Sequence, residues 1–122
     1  MLKDYGTDIQ KLFLEMMLHD AESFVRVQNI YNPENFDRSI RSAAEFLTEY
    51  STKYQVLPDH DQIKAKTGVE LKKLDTPPPD HVDWFMDEFE TFSRHKALGR
   101  AIVQSADLLE DFNHNTPVLS TF

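Results

Sequence analysis

One proline-free stretch of about 32 residues, from about His81 to Phe112, constrains the possible folds of this chain most strongly. Apolar residues recur in it at helical spacing, which predicts one long helix with Asp80 as its N-cap. The main apolar stripe of this helix is Phe85, Phe89, Phe92, Ile102, Val103, Ala106 and Leu109. A helix of that length measures roughly 48 Å, longer than a domain of this size is wide. Part of it is therefore expected to project from the rest or to pair with another helix.

The charged residues of this predicted helix fall into three blocks. They are an acidic block (Asp80, Asp83, Asp87, Glu88, Glu90), a basic block (Arg94, Lys96, Arg100) and a second acidic block (Asp107, Glu110, Asp111). The first acidic block suits the N-terminal end of a helix dipole. Blocks of alternating sign are also expected to set the register of a helix pair.

Residues 1–75 are predicted to form a globular head of short helices, with no strand pattern and no internal repeat. Thr7 and Gln10 have the spacing of a capping box, which predicts a first helix to His19. Asp20 is expected to cap a second short helix with an apolar side reaching Tyr31. This helix ends at Asn32, because the residue before a proline disfavours the helical region.

The rest of the head follows the same pattern of caps and helical periods. Residues 33–36 are typical of a tight helical turn that ends in a buried Phe36, and a helix is predicted from Asp37 to Tyr54. Asp59 is expected to cap a small helix that Gly68 ends. Residues 69–75 are predicted to add one more turn.

The sequence therefore predicts an all-α chain in four parts. They are the head (1–75), a Pro-rich link (76–79) with polyproline II character, the long helix (80–112) and a tail (113–122). The side chains expected in the core between head and helix are Phe13, Met17, Phe36, Leu47, Trp84, Phe85 and Phe89. The side chains expected to drive self-association are Leu98, Ile102, Val103, Ala106 and Leu109.

Composition excludes several classes of function. Thirteen basic and 21 acidic residues give a net charge of −8, which disfavours a binder of nucleic acid or of an anionic membrane. With no cysteine, the chain has no disulfide, thiolate metal site or cysteine nucleophile. Its three glycines are too few for a Walker A or dinucleotide-binding loop. No signal peptide is expected at Met1, because no apolar region follows it, and no apolar run approaches the roughly 20 residues of a membrane span.

The remaining motifs for chemistry are weak. None of the five histidines has the spacing of a metal-binding helix face, so no metal ligand is predicted. Asp83 and Asp87 could hold Mg²⁺, but nothing near them resembles a phosphate cradle. The basic block lies next to Phe92 and His95, as in some nucleic-acid binders. Acidic neighbours on both sides favour the alternative that it pairs with acidic residues of another helix or chain.

The order and spacing of these elements resemble the N-terminal domain of DnaB-like replicative DNA helicases, especially phage-type members. The resemblance covers residues 8–112. It is carried by residues 10–14 (QKLFL) and 20–24 (DAESF), the turn 32–36 (NPENF), Ile40, Ala44 and Leu47, the link 54–58 (YQVLP), the helix start 80–84 (DHVDW) and Phe92, Arg94 and Ala97. No single one of these motifs is as specific as a Walker loop.

The resemblance implies a non-catalytic domain with a helical head and a helical hairpin. In the family, paired hairpins and heads form a collar that supports hexamer assembly and offers surfaces to primase and to the helicase loader. The motor that uses ATP and Mg²⁺ lies in a separate domain, so this part is expected to hold no cofactor, to bind no nucleic acid and to act in the phage or bacterial host cytoplasm. The chain departs from the family in lacking a motor domain and most of the second hairpin helix, which indicates a fragment.

Two alternatives stay open. One is the helicase-binding domain of a primase, which has a similar fold. The other is a small stand-alone phage protein that binds a host or replication factor. The mass of the native gene product distinguishes the helicase from the small stand-alone protein, since a helicase needs roughly three to four times this length to include a motor domain.

Overall fold

The computed structural model describes residues 5–75 and 80–115, and in the last helix it describes side chains from His81 to Val103. These residues form an all-α fold, without a strand in the described ranges. The helices are α1 (Thr7–His19), α2 (Ala21–Val27), α3 (Arg38–Tyr54), α4 (His60–Thr67) and α5 (Asp80–Asn115), with a 3₁₀ turn at Pro33–Asn35 between α2 and α3.

Four side chains cap the starts of the short elements, each by accepting a backbone N–H two or three residues on. Asp20 caps α2 and Asn32 caps the 3₁₀ turn. Asp37 caps α3, and Asp59 forms a reciprocal capping box with Gln62 at α4. The N-caps predicted at Asp20 and Asp59 are confirmed, as is Gly68, which ends α4 in the left-handed region at φ 78°.

Two predictions at helix starts are wrong. Gly6, not Thr7, is the N-cap of α1, and no side chain caps it. The side chain of Gln10 is instead buried, donating to the carbonyl of Tyr5 at 2.7 Å and accepting from the N–H of Asp37 at 2.7 Å. Asp80 is the first residue of α5 and not the cap before it.

Two helix ends and one predicted turn also differ from the predictions. The second helix ends at Val27, before Tyr31, and the long helix runs on to Asn115, so the predicted tail begins within it. Residues 69–75 form no helix. In that segment the N–H of Lys72 donates to the carboxylate of Glu15 at 2.6 Å, and Val69 and Leu71 are buried. Tertiary contacts with α1 thus replace the local hydrogen bonds of a helical turn.

The hydrophobic core lies where α1 meets the first half of α5. Phe13 is fully buried, and the centre of its ring lies 5.4 Å from that of Phe89 and 5.3 Å from that of Phe92. Phe36, at the end of the 3₁₀ turn, packs against the same two rings. The fully buried set also includes Met17, Leu47 and Phe85. Because α5 supplies three of these rings, the head and the first half of α5 share one core.

Trp84 departs from its predicted place in this core. Its side chain is 39% exposed, and its ring centre lies 6.4 Å from that of Phe13. Adjacent residues of a helix point about 100° apart, and Phe85 takes the inward direction. Trp84 therefore lies at the edge of the core. The predicted link at 76–79 and the residues from 116 onward lie outside the described ranges.

Candidate interaction surface on helix α5

Helix α5 changes character along its length. In its first half Phe85, Phe89 and Phe92 are fully buried against the head. Beyond Ser93, by contrast, most described side chains are exposed. The head therefore covers only part of the helix, as its length predicts.

Three large apolar side chains are exposed in this later part of α5. Leu98 is 52% exposed, and Ile102 and Val103 are each 60% exposed. Val103 lies about three turns after Phe92, so it continues the core-facing side of the helix past the end of the head. Leu98 and Ile102 are about one turn apart and form a second apolar strip, on another side of the helix. We call these three side chains the α5 apolar surface.

Three of the five residues predicted for self-association, Leu98, Ile102 and Val103, are therefore exposed to solvent within one segment of α5. Ala106 and Leu109 belong to α5, but their side chains lie outside the described residues. Along the apolar stripe predicted from Phe85 to Leu109 the direction of the side chains changes, because Ile102 points about 80° away from Phe92.

Polar contacts hold α5 on the head at two places along the helix. The hydroxyl of Tyr5 donates to the Glu88 carboxylate at 2.9 Å. Burial, with Glu88 as a further cause, raises the pKa of Tyr5 to about 12, so the hydroxyl stays protonated as the donor. On another side, the Arg100 guanidinium donates to the side-chain oxygen of Asn35 and lies 4.0 Å from the Glu34 carboxylate.

These contacts were missed at the level of the sequence. Gln10, Glu15 and Asn35 are buried polar residues that each join segments distant in the chain. The only local signal is a polar residue on an otherwise apolar helix face, as at Gln10, and such a signal does not name the partner.

Among the described residues we looked for metal sites and membrane-spanning helices as well. Among them no group of three His, Asp or Glu side chains is placed to hold a metal ion. Asp83 and Asp87, considered for Mg²⁺, are both exposed on α5. No helix within the described ranges has the length and apolar character needed to cross a membrane.

Comparison with protein-family models, curated proteins and solved structures gives no match for this chain.

Proposed function

We propose that this chain is a non-catalytic assembly domain, the N-terminal domain of a DnaB-like replicative helicase. In this role the head positions α5, and the α5 apolar surface pairs with the same surface of another subunit during ring assembly. Primase and the helicase loader are the further partners that the proposal implies. The observation that carries it is the exposure of Leu98, Ile102 and Val103 on a helix that outruns the head.

Burial of these side chains is the source of affinity in the proposed pair. Large apolar side chains that lie near one another and are exposed to solvent often mark an interface. Full burial of a completely exposed side chain of this kind contributes roughly 1.5–3 kcal/mol before the cost of association, and each of these half-exposed side chains contributes less.

Charge gives the proposed pair a direction. In the sequence Val103 lies about midway between the basic block Arg94–Arg100 and the acidic block Asp107–Asp111. Two α5 helices that pair antiparallel about Val103 bring each basic block beside the acidic block of the other chain. A parallel pair puts like charges side by side, which is unfavourable.

The test is the mass of the chain in solution over a range of concentrations. The wild-type chain should exceed 14.2 kDa as concentration rises, whereas Ile102→Asp should stay at 14.2 kDa, because a buried carboxylate opposes pairing. Val25→Asp is the matched control, since Val25 is 61% exposed but lies on α2. Far-ultraviolet circular dichroism checks that all three chains keep their helicity.

A wild-type chain that stays monomeric at every concentration contradicts self-association. Equal effects of Ile102→Asp and Val25→Asp contradict the assigned surface. The helicase assignment has its own criterion, which is a motor domain with a P-loop in the native gene product. Without that domain, the stand-alone binding protein becomes the better reading.

A further inference from the structure

A groove of about 740 Å³ opens between α5 and the segment that joins α2 to the 3₁₀ turn. Arg26 lines it from the end of α2, and Arg94 and Arg100 line it from α5. Glu90 is the single acidic residue among the lining residues. The whole chain has a net charge of −8, whereas basic residues outnumber acidic ones in the lining of this groove.

Two of the three guanidinium groups remain accessible to a partner. The side chains of Arg26 and Arg94 are 51% and 67% exposed. Each is paired within its own helix, with Glu22 and Glu90 respectively, and both pairs face water. Exposed pairs of this kind contribute little to stability, so carboxylates of an incoming ligand can replace them. Arg100, the third, donates to Asn35 in the groove wall.

The rest of the lining is apolar or neutral. Ile30, Met86 and Ala97 line the groove, and Ile30 is 38% exposed. Burial raises the pKa of Tyr31, which keeps its hydroxyl neutral and donating to the carbonyl of Ala44 at 2.6 Å. Ser93 lies in the wall with its hydroxyl buried and without a hydrogen-bond partner. The groove therefore offers apolar contacts flanked by arginines.

We propose that this groove docks an acidic, amphipathic segment of another protein. Its carboxylates pair with Arg26 and Arg94, which bind them in bidentate geometry, and its apolar side chains contact Ile30, Met86 and Ala97. A nucleic acid fits less well. It needs a continuous positive surface, whereas each arginine of the groove has a glutamate beside it and the apolar lining has no role with phosphate. The proposal does not depend on α5 pairing.

The experiment measures binding of fluorescein-labelled probes to the full chain by fluorescence anisotropy. The probes are a short helical peptide with Glu on one side and Leu on the other, the same peptide with Lys in place of Glu, and single-stranded oligothymidine. We expect the Glu/Leu peptide to bind best, and more weakly as salt is added. Arg26→Glu together with Arg94→Glu should weaken its binding about tenfold or more.

Two further variants locate the effect. Lys53→Glu together with Lys66→Glu makes the same change of net charge, on exposed residues of α3 and α4, and should leave the affinity near that of the wild type. Ala97→Phe fills the groove without a change of charge and should also abolish binding. Since Ala97 is exposed, this variant should fold normally.

Several outcomes overturn the proposal. They are equal loss of affinity in both double variants, preference for oligothymidine, or unchanged binding in Ala97→Phe. If Arg26→Glu alone, which leaves the basic block of α5 intact, lowers the mass of the wild-type assembly, the occupant is a second copy of this chain and not another protein. A chain that binds the peptide but stays monomeric supports the groove and contradicts only the proposed self-association.

Discussion

Asp37 shows how one exposed side chain organises the start of a helix. Its carboxylate accepts from the N–H of Ser39 at 3.0 Å and from the Ser39 hydroxyl at 2.7 Å. These hydrogen bonds hold the pKa of Asp37 below its usual value. The pKa is thus lower in the folded chain than in the unfolded one. The stabilisation is complete above the unfolded pKa and is lost as pH falls through the folded pKa.

This linkage predicts a specific acid sensitivity. Asp37→Asn keeps a capping oxygen but removes the titration. Its melting temperature should therefore fall less steeply than that of the wild type as pH drops below about 4, the usual pKa of an aspartate carboxyl. Asp37→Ala loses the cap and should melt lower even at pH 7. Thermal melts followed by circular dichroism across this range provide the measurement. Asp61→Asn is the control, since that residue lies in the first turn of α4 without being its N-cap. An unchanged slope in Asp37→Asn would show that other carboxyls control acid unfolding.

At the level of the helix, two glycines play opposite roles. Gly68 ends α4 at φ 78°, where a side chain is strained, whereas Gly99 lies inside α5. A Cβ atom added at either position meets no other atom within 4 Å, so only the backbone distinguishes them. Substitutions at these two glycines therefore measure the conformational preference of the backbone without a change in packing.

The same substitution should therefore have opposite effects at these two sites. Gly68→Ala should lower the free energy of unfolding by about 1–2 kcal/mol, because an L-residue resists the left-handed region. Gly99→Ala should raise the helicity of α5, since alanine favours a helix interior by about 1 kcal/mol over glycine. Urea unfolding and the circular dichroism signal at 222 nm measure the two effects. A loss of helicity in Gly99→Ala would mean that α5 does not continue through this position as one helix.

At the scale of the whole molecule, Phe13 joins the head to α5. Its ring contacts rings from both sides of the core, including Tyr5 and Phe85. The head at 1–75 and the long helix are therefore separate segments of the sequence, but they share one hydrophobic core. A shared core predicts that head and helix unfold together.

Urea unfolding tests this cooperativity. Fluorescence of Trp84, at the start of α5, and helicity at 222 nm should give one coincident transition. Phe13→Ala should destabilise the chain by about 3–5 kcal/mol, a large share of the usual 5–15 kcal/mol, and should shift both signals together. Phe13→Leu, which leaves a smaller cavity, should cost less. Two separate transitions in the wild type would contradict a single core.

What the sequence by itself determined is the set of local elements and their polarity. The all-α class, the N-caps Asp20 and Asp59, the stop at Gly68 and the long helix are all present in the structure. These features depend on interactions within a few residues or on periodicity, so neighbouring positions in the sequence suffice to predict them.

Only the tertiary structure decided the buried polar partners and the exposure of α5. The Glu15 carboxylate accepts from Lys72, and Gln10 joins Tyr5 to Asp37. The groove with Arg26 and Arg94 likewise depends on how α2 meets α5. Each of these features brings together residues that are far apart in the chain. The pattern of neighbouring residues does not predict which distant residues come into contact. The length of α5 predicted that the head leaves part of it uncovered. Packing decided that most of its side chains become exposed after Ser93, although Arg100 still contacts Asn35.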